Sequence, residues 1–61
     1  MNNFDKLAAL LADGMWHSER SLYNNLGFPE WFHTTVGGMV RQGLIQERFD
    51  PWGGVFYRMN P

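Results

Sequence analysis

Leu22-Tyr23-Asn24-Asn25-Leu26-Gly27-Phe28-Pro29, then Phe32, Val36 and Met39, then Arg41-Gln42-Gly43-Leu44-Ile45, form the stretch on which the fold turns. Leu22 and Leu26 stand four apart, one turn of a helix, and Gly27 closes that helix where a left-handed residue is wanted. Phe28-Pro29 then turns the chain at once. Pro29 suits the opening of a further helix, since the N–H it lacks would have no partner there. Phe32, Val36 and Met39, with Val40, make the buried stripe of a helix spanning about Pro29 to Gln42. Gly37 and Gly38 lie inside it, each costing about 1 kcal/mol relative to alanine. Gly43 ends it, and an extended pattern begins at Leu44.

Upstream of this stretch, Phe4, Leu7, Ala8, Leu10 and Leu11 recur at three- and four-residue spacing, which predicts a first helix from about Asn3 to Asp13. Asn2 or Asn3 caps its start, Asp5 suits its first turn, and Gly14 supplies its stop. Met15-Trp16-His17 reads as a short extended segment. Ser18 offers a hydroxyl cap to a second helix, Glu19 to Asn25. Downstream, Leu44 to Phe49 and Val55 to Met59 read as two strands joined by the turn Asp50-Pro51-Trp52-Gly53-Gly54.

Composition narrows the class. Sixty-one residues make one domain, 1–61, and a chain this short buries only about 60% of the surface it exposes when unfolded. Zero cysteines exclude disulfides and thiolate zinc, so the core must hold the fold by itself, or with help from a partner subunit. Apolar residues at 44% against 18% charged give it the means, and set it apart from disordered chains. Leu7 to Ala12, the longest strongly apolar run, cannot span a bilayer. Asn2, Asn3 and Asp5 stand where an export signal would be basic, so the cytoplasm is the expected compartment. Net charge is −1, with residues 1–30 at −2 and residues 31–61 at +1. Any polyanion site is therefore expected in the second half.

The order helix, short strand, helix, tight turn, helix, β-hairpin resembles the winged helix-turn-helix domains over nearly the whole chain. The Leu22…Leu26-Gly27 spacing and Arg41-Gln42-Gly43-Leu44-Ile45, where the chain leaves the third helix for the hairpin, carry the likeness most specifically. Gly14-Met15-Trp16-His17 ahead of Ser18 matches the family's first strand. The resemblance implies an α+β fold of three helices with a short strand and a C-terminal hairpin wing. It also implies binding to double-stranded DNA, as a transcriptional regulator or architectural accessory. A unit this small would suit a phage or mobile element. Winged helices also serve as protein-contact modules, adaptors or inhibitors, and that alternative stands beside the first.

On the DNA reading the third helix presents Glu30, His33, Thr34, Gly37, Gly38 and Arg41 outward to a major groove. Thr34 and Arg41 would meet phosphate or base edges, and His33 would donate to either. Glu30 fits only if it accepts from a cytosine amino group. Arg48 and Trp52 of the wing, a hairpin bracketed by Arg48 and Arg58, would hold the backbone, with Trp31 at the flank of the helix. Trp16 is expected under the hairpin. Trp31, Trp52, Phe28 and Tyr57 together would leave an apolar patch suited to a homodimer or a protein partner, or to stacking on single-stranded bases, against which the low positive charge argues. His17 and His33 have no carboxylate at metal-ligand spacing, Ser18 and Ser21 have no triad, and neither glycine pair makes a phosphate loop. No enzyme, cofactor, metal or small-molecule substrate is expected.

Overall fold

A computed structural model describes residues 2–61. Helix α1 is Asn3–Leu10, and the Asn2 side chain caps it by accepting the Asp5 N–H at 2.8 Å. It stops short of the expected Asp13. The cause lies in the side chain of Asp13, whose carboxylate takes the Met15 N–H at 2.9 Å and draws the backbone out of the helix. Between them, tighter bonds from Ala12 N–H to the Ala9 carbonyl and from Gly14 N–H to the Leu11 carbonyl close the end.

Of the expected extended segment Met15-Trp16-His17 only His17 lies in a strand, the Met15 N–H being taken by Asp13. Strand β1 is His17–Ser18, and Ser18 doubles as the cap of α2, Glu19–Asn25, accepting the Ser21 N–H at 3.1 Å. Helix α2 ends in a paired closure: Phe28 N–H reaches the Tyr23 carbonyl at 2.9 Å and Gly27 N–H the Asn24 carbonyl at 3.1 Å. That geometry needs a left-handed residue, which Gly27 supplies at φ +78°. Phe28 follows with φ +57°, a conformation uncommon for a side-chain-bearing residue, and its ring lies edge-on to Tyr23 at 5.2 Å. The left-handed pair reverses the chain, so α3 begins at Phe32 rather than at the expected Pro29. Pro29 instead accepts the Phe32 N–H in the turn leading in.

Helix α3 runs Phe32–Arg41 and repeats the paired closure, with Leu44 N–H on the Met39 carbonyl, Gly43 N–H on that of Val40, and Gly43 at φ +74°. Because Leu44 spends its N–H there, the strand begins one residue later than expected. Strands β2, Ile45–Phe49, and β3, Val55–Met59, pair antiparallel, and β1 adds to the other side of β3, giving the order β1-β3-β2. Registers are Glu47 opposite Tyr57, Arg48 opposite Phe56, and His17 opposite Tyr57.

Those registers sort the side chains by face. Ile45 and Tyr57 join Leu7, Leu11, Leu22, Phe32, Val36 and Met39 in the core, so the helices cover the face carrying the odd-numbered residues of β2 and β3. Gln46, Arg48, Phe56 and Arg58 lie on the other face. Asn60 N–H on the Leu44 carbonyl and Asp50 N–H on the Gly54 carbonyl set the ladder, so Ile45, Glu47 and Phe49 turn their backbone groups outward along a free edge. The result is an α+β fold of three helices and a three-stranded antiparallel sheet, compatible with a small winged helix. Among the described residues no helix is long and apolar enough to cross a membrane.

Candidate nucleic-acid interface

Helix α3 buries Phe32, Val36 and Met39 and leaves the opposite side, Thr34, Gly37, Gly38 and Arg41, uncovered by any other element. The two glycines give this face its shape. A methyl group built on Gly38 meets no atom within 4 Å, and one on Gly37 meets only the Arg41 guanidinium at 3.5 Å. Neither backbone approach nor core packing inside the molecule calls for a missing side chain there. Arg41 folds back along its own helix, over Gly37, with its charge in solvent.

Glu30 is exposed in the turn before α3, at the end of that face. His33 sits to one side, 70% exposed, its Nε2 3.8 Å from Glu19 Oε1 and its ring beside Tyr23 and Phe32. Trp31 is half-buried against the core, and the Lys6 ammonium lies 5.9 Å from its ring centroid. Glu19 also accepts the Tyr57 hydroxyl at 3.0 Å. Burial raises the Tyr57 phenol well above its ordinary value, and the Glu19 hydrogen bond and the charges of Glu19 and Glu47 raise it further. Contrary to expectation, then, Tyr57 is no part of an exposed aromatic patch: it is 4% exposed. Its place in the row with the core-facing residues of β2 explains this. Phe28 and Trp52 are exposed as expected, Trp52 almost completely at 93% on the hairpin tip.

The other half of the expected interface lies elsewhere. Arg48 points to the sheet face turned away from α3, its Cζ 4.6 Å from the Trp16 ring centroid and 5.2 Å from that of Phe56. Arg58 joins it there, Cζ also 4.6 Å from the Trp16 centroid and Nε donating to Gln46 Oε1 at 2.6 Å. The structure thus gathers Thr34, Gly37 and Arg41, sets Glu30 beside them and His33 and Trp31 at the flanks, and puts Arg48 across the sheet. Trp16, Gln46 and Phe56 were not singled out as site residues from the sequence. The alternation Gln46-x-Arg48 and Phe56-x-Arg58 was the available signal, but only the register shows that the two pairs share a face.

No arginine or lysine is ion-paired among the described residues; the two carboxylate contacts involve His17 and His33. Also among the described residues, no three of His, Asp and Glu gather as a metal centre would need. No family model, curated protein or solved structure matches the chain.

Proposed function

We propose that this chain is a winged helix-turn-helix protein that binds duplex DNA, laying the outer face of α3 in the major groove with the Trp52 tip against the backbone. The observation that carries the reading is the uncovered Gly37-Gly38 pair. Two mid-helix glycines together cost about 2 kcal/mol, and within the fold only the solvent-exposed Arg41 guanidinium comes near the room they leave, over Gly37, with nothing over Gly38. An external surface approaching the helix closely does use it. Thr34 and Arg41 flank that gap with a hydroxyl and an unpaired guanidinium, suited to phosphate and base edges. His33 reaches from the side, and Glu30 suits a cytosine amino group. So few cations per unit favour action as a dimer, whose two units double the phosphate contacts and fix a half-site spacing. The role is that of a cytoplasmic transcriptional regulator or architectural accessory, without catalysis.

Glu19 and Glu47 favour a second reading. Glu19 accepts the buried Tyr57 hydroxyl at 3.0 Å, Glu47 stands exposed opposite Tyr57, and Phe49 is exposed on the same side of β2. An apolar surface edged by carboxylates suits a protein partner better than phosphate.

One titration separates the two. Random-sequence duplex DNA is titrated with wild type, Arg41→Ala and Gly37→Ala/Gly38→Ala at low and physiological salt, with melting followed in parallel. Duplex binding should weaken with salt, and Arg41→Ala should flatten the log–log slope by about 0.9. The alanine pair should raise stability by about 2 kcal/mol while weakening binding. An alanine pair that is more stable and binds as wild type removes the argument. No binding even at low salt transfers the face to a protein partner.

A further inference from the structure

The sheet face remote from α3 carries an incomplete set of charges. Trp16, from the approach to β1, lies against the guanidiniums of both Arg48 and Arg58, each 4.6 Å from its ring centroid. One stacked side chain would suffice to cover an indole. Two like charges on one ring repel each other, and among the described residues neither guanidinium is ion-paired with a carboxylate. Glu47 projects from the opposite face, Glu19 accepts the Tyr57 hydroxyl and Asp13 is paired with His17 at 2.8 Å, while Asp50, accepting the Trp52 N–H at 2.6 Å, keeps its charge at the turn end of the face, beside Gly54 and Phe56.

From this arrangement we infer that the outer face of the sheet is a binding site for single-stranded nucleic acid, separate from the α3 face and independent of the function proposed for it. A guanidinium stacked on an indole keeps its N–H edge for a phosphate and offers its outer plane to an unpaired base. Half-buried Phe56, 5.2 Å from Arg48, adds a second ring for stacking. Gln46 uses its Oε1 on Arg58 and retains its amide N–H groups for a base edge. Charge, planes and amide are all used by a strand with splayed bases. Paired bases in a duplex hide their planes, and an acidic peptide would meet the charges alone.

The test is fluorescence anisotropy of a labelled oligothymidylate of about a dozen nucleotides, with wild type, Arg48→Gln/Arg58→Gln, Arg48→Lys/Arg58→Lys and Arg41→Ala over a range of salt. Wild type should bind. The glutamine pair should lose about tenfold in affinity, with the log–log salt slope flattened by about 1.4. The lysine pair keeps both charges and therefore the slope, but loses the planes and binds more weakly, which also covers a glutamine pair that fails to fold. Arg41→Ala should bind this strand as wild type does, whatever it does to duplex. The inference is overturned by any of four results: no binding at low salt, unchanged affinity in the glutamine and lysine pairs, equal losses for duplex and single strand, or displacement of the strand by polyglutamate of equal charge.

Discussion

Tyr57 shows how much one side chain can be asked to do in so small a domain. It fills the core and also donates its hydroxyl to Glu19. Its phenol is raised above 10.0 in the folded chain. The associated stability is therefore complete below the unfolded value and is lost as pH climbs from about 10 toward the raised folded one. Thermal melts of wild type should fall on this alkaline limb, whereas Tyr57→Phe, with no proton to lose, should run flatter. Parallel limbs would show that the phenol is not the group responsible. At this scale the sequence was read unevenly. Thr34 and Arg41 were visible as outward residues because a helix has a fixed period and its stripe of Phe32, Val36 and Met39 is strong. Tyr57 and the arginines around Trp16 were not, because in a hairpin the face depends on register, and a shift of one residue exchanges the two faces.

Among the elements, order and type were legible throughout; the helix boundaries moved where a side chain or a turn competed with the helix, and the short strand moved from Met15-Trp16-His17 to His17–Ser18. Asp13 shortens α1 by capturing a backbone N–H, and the left-handed Gly27-Phe28 pair delays α3 to Phe32. Neither effect has a periodic signature. The ends of α2 and α3, closed by Gly27 and Gly43, fall at or beside their expected places, unlike that of α1 before Gly14, and they make a prediction of their own. Gly43 holds φ +74° with nothing near its missing Cβ, so Gly43→Ala suffers from backbone strain alone, about 1 kcal/mol. That is the reverse of Gly38→Ala, which also meets open space but at an ordinary helical φ. A pair of chemical denaturation curves on the two variants should shift in opposite directions. A shift in the same direction would mean that helix propensity and left-handed strain are not what separates these two glycines.

Over the whole molecule the margin is thin. A domain of this length has roughly 3–9 kcal/mol of stability at the usual per-residue figure, resting on eight buried apolar residues among those described and no disulfide. Such a chain visits its unfolded and partly opened states often, and what those states expose then matters as much as what the native state binds. The outward backbone of β2 is where this tells. Of the three residues that turn their N–H and carbonyl groups away from the sheet, two are Ile45 and the exposed Phe49; the third is Glu47. A second copy adding itself along that strand in the central register would bring Glu47 against its own counterpart, and the repulsion blocks the first step of a growing fibre. Glu47→Val should therefore leave the monomer's spectrum intact at low concentration and produce dye-binding, sedimenting polymer as concentration rises. If the variant stays monomeric, the protection lies elsewhere along the strand. On this reading one acidic side chain, unfavourable to any polyanion on its own face, is what keeps the protein from templating its own polymerisation.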